Sequence, residues 1–99
     1  MPANPYAFVV KLEAKPEKAE DLAGLLTGAL ELAQAEEGTV AWYSARTGPT
    51  TFWIFDTFAS EGDRQTHIEG PIAQALMAKK DELLAADPEI LPADVLAQK

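Results

Sequence analysis

The chain contains no cysteine, which removes disulfides, thiolate nucleophiles, zinc knuckles and iron–sulfur clusters from consideration. Histidine is almost as scarce. His67 is the single one, so no imidazole cluster is there to hold a metal. Bases are few, eight Lys and Arg against sixteen Asp and Glu for a formal charge of −8, and a surface of that sign repels a phosphate backbone. Nucleic acid is therefore not an expected partner. Long apolar runs are missing as well: none approaches the ~20 residues that a membrane-spanning helix needs. The opening Met1-Pro-Ala-Asn-Pro5 has no cationic segment followed by an apolar one. No membrane partner is expected, and the cytoplasm is the expected location.

What remains is a chain of 99 residues, 47% apolar and 24% charged, a balance that reads as a globular domain spanning 1–99. Tyr6 to Ala14 alternates Phe8, Val10 and Leu12 with Val9, Lys11 and Glu13, the period of a strand, and Pro16 stops it. A helix is expected from Glu17 to about Glu36, with an apolar stripe of Leu22, Leu25, Leu26, Ala29, Leu30 and Ala33 and with Gly38 as a left-handed cap. Its Gly24-x-x-x-Gly28 reads as chance or close packing. Thr39–Thr47 and Thr51–Phe58 are rich in β-branched and aromatic residues and are joined by Gly48-Pro49, the clearest hairpin signal in the chain. Ser60-Glu-Gly-Asp63 caps a short helix through His67; Gly70 breaks it, and Pro71 opens another with Ile72, Leu76, Met77, Leu83 and Leu84 on one stripe. Ala93–Ala97 reads as a short edge strand after Pro92. The order βαββαβ predicts an α+β fold of the ferredoxin-like split βαβ type, an antiparallel sheet with helices on one face.

The hairpin has two apolar sides. Phe52, Ile54, Asp56 and Phe58 fall on one parity of its second strand, and Trp53, Phe55 and Thr57 on the other, where a half-solvated strand would be polar at alternate residues. One layer of helices can cover only one side. The simplest cover for the other is a second copy of the sheet, so a homodimer through the sheet face is expected.

Few side chains are suited to chemistry. His67 alone has an ordinary pKa near working pH, ~6.5, and is the candidate proton acceptor. Tyr43, Trp53, Phe8 and Phe58 offer flat apolar surface to a planar ring, as does Trp42, and Arg46 at the hairpin end is a candidate for an anionic or oxygen-bearing ligand. Each also has an ordinary structural use, in core, interface or surface ion pair. Asp56 within an apolar strand needs a partner if buried. Glu36-Glu37 and Asp87/Glu89 flank loops and read as solvated charge.

Taken together, Lys15-Pro16 after the first strand, Glu37-Gly38 before the hairpin, and Asp56-Thr-Phe58 with His67 nine residues on resemble the antibiotic biosynthesis monooxygenase family over roughly Tyr6 to Ala97. The family's usual pattern is an acid, any residue, a tryptophan, a histidine nine residues on and often another five later. Asp56 and His67 match it, Phe58 replaces the tryptophan, and Ile72 stands where the second histidine would be. The resemblance implies a dimeric α+β barrel, a pocket between sheet and helices, and oxidation of a small quinol or polycyclic phenol by molecular oxygen with no cofactor, His67 serving as the base. It leaves open a non-catalytic ligand-binding barrel, or an isomerase or cyclase. Haem degradation, a branch of the same superfamily, is disfavoured because Phe8 (Val9 if the register slips by one), His67 and Met77 stand at its asparagine, tryptophan and axial histidine positions.

Overall fold

A computed structural model describes residues 3–99. β1 (Tyr6–Glu13) leads through a single 3-10 turn at Pro16–Lys18 into α1 (Ala19–Gly28) and α2 (Leu30–Ala35). The hairpin β2 (Thr39–Arg46) and β3 (Thr51–Phe58) follows, then α3 (Glu61–Ile68), α4 (Pro71–Leu83) and β4 (Glu89–Asp94). The strands form one antiparallel sheet in the order β2-β3-β1-β4, the ferredoxin-like arrangement read from the sequence. Among the described residues, no helix is long and apolar enough to cross a membrane.

Parity divides the sheet. Phe8, Val10 and Leu12 of β1 and Phe52, Ile54 and Phe58 of β3 join Leu22, Leu26, Leu76 and Leu83 from the helices in one buried cluster. Each large side chain so buried contributes about 1.5–3 kcal/mol. The opposite parity carries a row across all four strands, Tyr43 beside Phe55, Phe55 beside Val9 and Val9 beside Leu91. No helix covers it: Tyr43 is 64% exposed and Leu91 52%.

Three local expectations are corrected. The first helical stretch is not continuous, because it breaks at Ala29 between α1 and α2. Thr27 turns its hydroxyl back onto the Ala23 carbonyl at 2.8 Å, a bond that bends helices, and Gly24 and Gly28 on either side weaken the turn. A Cβ at either glycine would meet nothing within 4 Å, so the pair is not a close-packing motif. The closing strand begins at Glu89, not Ala93, and runs through Pro92; it lies at the sheet edge, where a missing N–H is tolerated.

Gly38 is not a left-handed cap. The helix ends at Ala35, Glu36 is already extended, and no described glycine has positive φ. The glycine is needed for space instead: a Cβ there would sit 2.8 Å from the Asp63 Cβ and 2.6 Å from its Oδ1. Asp63 cannot retreat freely, since its backbone N–H donates to the Ser60 hydroxyl that caps α3. Gly38→Ala is therefore expected to destabilise the fold by about 1–3 kcal/mol through overpacking. Urea denaturation checks this, and an unchanged midpoint would show that the β2–α3 contact is loose.

Candidate functional site

Asp56, His67 and Glu36 meet at one end of the sheet. Asp56 shares the parity of Ile54 and Phe58 and so points under the helices, where it is 1% exposed. His67 lies in the last turn of α3, a place where a cation complements the helix dipole. Glu36 stands at the exit of α2, where the chain turns extended to enter β2. Its Oε1 accepts from the Thr39 hydroxyl at 2.7 Å and lies 2.5 Å from His67 Nδ1. On the other side of the ring, His67 Nε2 is 2.9 Å from Asp56 Oδ2. That contact is an ion pair without good hydrogen-bond alignment, and neither Asp56 oxygen has a directed donor. Phe58 packs on the imidazole with ring centroids 5.1 Å apart, and Phe8 meets Phe58 edge-on at 6.1 Å.

Burial pushes the His67 pKa down, but Asp56 and Glu36 push it up by more, and the net shift is upward from 6.5. The ring is held between two carboxylates, an arrangement that favours its charged form. A lone carboxylate as deeply buried as Asp56 would carry a penalty of several kcal/mol, and the adjacent cation offsets it. This revises the chemistry expected of His67. Both ring nitrogens face carboxylates, so neither is free to take a proton from a ligand. Spare acceptor capacity remains on Asp56 Oδ1 and Glu36 Oε2, neither of which has a partner, and of the two residues Asp56 is the one that lines a pocket.

Asp56 and His67 line a small pocket with Phe8, Ile54, Ile72 and Met77, about 30 Å³ in volume and large enough for one water molecule. Beside it lies a second cavity of about 190 Å³, walled by Leu25, Leu26, Gly28, Ala29, Leu32, Ile54, Ile72, Ala75 and Leu76. The two share Ile54, Ile72 and Leu76. A buried apolar cavity of ~150 Å³ accepts benzene, so the larger space suits an aromatic ring and the smaller one a polar atom beside Asp56.

The structure brings His67, Phe8 and Phe58 together and leaves the other candidates elsewhere. Tyr43 and Trp53 belong to the outer parity of the sheet and do not reach the pocket. Trp53 donates its indole N–H to Thr47 Oγ1 at 2.8 Å, and the Lys11 ammonium lies 5.8 Å from its ring centre. Arg46 sits at the far end of the hairpin, paired with Glu20 at 2.8 Å, donating to the Pro49 carbonyl and stacked over Phe52. It braces the turn and binds nothing in the pocket. Glu36 was missed, because its loop position reads as solvated charge, yet its side chain is only 18% exposed. Its partner His67 lies 31 residues away, and nothing local in the sequence announces the pairing.

The sequence matches the family described as antibiotic biosynthesis monooxygenase over residues 5–79. The chain belongs to that family. Among solved structures it is similar to a Nitrosomonas europaea protein of unknown function, at 47% identity and a TM-score of 0.95, covering 98% of this chain and 94% of that one. It also shares its fold with a Mycobacterium tuberculosis protein (19% identity, TM-score 0.84, 95% of this chain and 97% of that one). A Pseudomonas aeruginosa protein is comparable, at 19% identity and a TM-score of 0.80 over 95% of this chain and 96% of that one. No curated protein matches by sequence. In this family pattern Asp56 and His67 are the acid and the first histidine, and they are the pair found in contact.

A group whose folded pKa is raised stabilises the fold fully below its unfolded value, and that stability is lost as pH rises through the folded value. The His67 contribution should therefore be complete below about 6.5 and fade above it. Removing the cation leaves two facing carboxylates, so His67→Ala should cost about 3 kcal/mol at pH 6. Denaturant titrations of wild type and variant at pH 6 and pH 9 check this; an equal gap at both would show that the charge contributes nothing.

Proposed function

We propose that the protein oxidises a small quinol or phenol with molecular oxygen, the electron-rich ring itself supplying the electrons, and that Asp56 is the proton acceptor. The observation that carries this reading is the buried, donorless Asp56 Oδ1 of a small pocket that shares Ile54, Ile72 and Leu76 with an apolar cavity of ring size. A phenol seated in that cavity binds as the neutral species and donates its hydroxyl to Asp56, since a phenolate would add a second negative charge beside the carboxylate. Loss of the proton to Asp56 accompanies transfer of one electron from the ring to oxygen, giving a phenoxyl radical and superoxide. These combine to form a ring C–O bond. Cleavage of the O–O bond and loss of the ring hydrogen then give a quinone, with the second oxygen leaving as water. The phenolic proton and the ring hydrogen both end in that water, so the overall step is balanced. The protein's part is to exclude water, orient the ring and hold the proton.

Oxygen uptake above the spontaneous rate with 1-naphthol or hydroquinone tests the reading. Asp56→Asn, which preserves the shape and removes the basicity, is expected to lower kcat by about 10²–10⁴-fold, and a wild-type rate from it would overturn the assignment. The absence of polar groups from the walls of the larger cavity favours a second reading, a ligand-binding barrel that does not turn over. Calorimetric binding of 1-naphthol with no oxygen uptake would select it.

The same proposal includes a second copy of the chain. The row Tyr43, Phe55, Val9 and Leu91 spans the whole uncovered face of the sheet, and two such faces packed together would take all four residues out of water. Phe55, 39% exposed near the middle of that row, is the position where a charge would be least tolerated. Sedimentation should show a dimer for wild type and a folded monomer for Phe55→Glu. A wild-type particle of 10.7 kDa would remove the dimer from the reading.

A further inference from the structure

Glu36 does not touch the pocket, and the oxidation reading above gives it no part. Its placement nevertheless makes the site depend on it. Exposure rises along the line of three groups, from 1% at Asp56 to 7% at His67 and 18% at Glu36. Only the outermost is anchored on its far side, by the Thr39 hydroxyl. Without Glu36, His67 Nδ1 would be a buried donor with nothing to meet. The pocket walls contributed by α4 are Ile72, Ala73, Leu76 and Met77, those of β1 and β4 are Phe8, Val10 and Ile90, and Phe58 covers the ring face. The charged groups of its own helix are engaged elsewhere: Asp63 is turned against Gly38, Glu61 pairs with Arg64 at 3.8 Å, and Arg64 lies over the rings of Tyr6 and Phe8.

We propose that Glu36 is a positioning residue that clamps the charged His67 ring against Asp56 and thereby holds the free oxygen of Asp56 turned to the substrate. The argument rests on Asp56 being the proton acceptor for its catalytic consequence, but the clamp itself is a matter of geometry and charge. A buried carboxylate and a half-buried one around one cation favour its charged form more than either would alone. A neutral ring would leave Asp56 as an uncompensated buried charge and would turn a lone pair of the ring, not a donor, towards its carboxylate, with nothing to hold the free oxygen in place.

Glu36→Gln keeps an oxygen for Nδ1 and removes the charge, while Glu36→Asp keeps the charge on a shorter arm. Because the chain has one histidine, ring-nitrogen NMR reads His67 with no assignment problem. E36Q should lower its titration midpoint by at least one pH unit, a tenfold loss of proton affinity, and E36D by less. With 1-naphthol as probe, E36Q should lose about tenfold in kcat with little change in KM, and recover much of it as the pH is lowered until His67 is charged again. A merely structural role would give no such recovery. If E36Q does not fold, E36D decides by the same two measurements. Folded variants whose midpoint stays at the wild-type value overturn the clamp. If wild type consumes no oxygen, the oxidation reading fails while the titration still settles whether Glu36 holds the charge.

Discussion

One buried cation makes this site possible. Asp56 has almost no contact with water and no directed hydrogen-bond donor, a state that a carboxylate reaches only against a compensating charge. The His67 imidazolium supplies it at 2.9 Å and is itself shared with Glu36. The three groups come from a strand, a helix and the turn that follows another helix, so the charge balance exists only in the folded chain. Each packing feature nearby serves it. Phe58 covers the ring face, Gly38 lets β2 approach α3 closely enough for Glu36 to reach across, and Ser60 starts α3 at the register that lands His67 over Asp56.

The same arrangement separates roles that the residue types alone would merge. A histidine near a pocket invites the part of general base, since its ordinary pKa suits it. Here its two nitrogens are occupied by carboxylates and its pKa lies above the ordinary value, so it acts through its charge. Spare acceptor capacity in the small pocket lies on Asp56, whose Oδ1 has no partner, and the proposed reading gives it the accepting function. An apolar cavity walled by Leu25, Leu32, Ile72 and Leu76 beside a buried acceptor would let the proposed site distinguish substrates by shape and by one donated hydrogen bond.

Much of this was legible in the sequence, and what was not has a physical reason. Alternation in β1 and β3 placed Phe8, Ile54, Asp56 and Phe58 on one side and Phe55 on the other, because period two is a local property. The Gly70-Pro71 break and the Ser60 cap were likewise local. The Ala29 break was hidden because the apolar spacing runs through it unchanged while the cause, the Thr27 hydroxyl bonding back to Ala23, competes quietly with the helix. Trp53 and Tyr43 were misplaced for a different reason. Aromatic content marks a surface that leaves water but does not say which of two such surfaces holds the site, and parity relative to Asp56 settles that. Glu36 was illegible outright, since a loop carboxylate reads as solvated until the fold brings a cation to it.

Ile72 shows how the site departs from the family pattern. It stands where a second histidine is usual, and it lines both the small pocket and the larger cavity. A histidine there would bring a second ionisable ring to the wall and another hydrogen-bonding group to the space where a ligand sits. With isoleucine the wall is apolar on both sides, and the polar character of the small pocket rests on the Asp56–His67 pair. The charge on Asp56 then has a single internal guarantor, His67, and His67 has a single outer one, Glu36. In the proposed reading, the absence of a second histidine therefore concentrates the chemistry at one oxygen and makes that oxygen dependent on a residue at the rim of the fold.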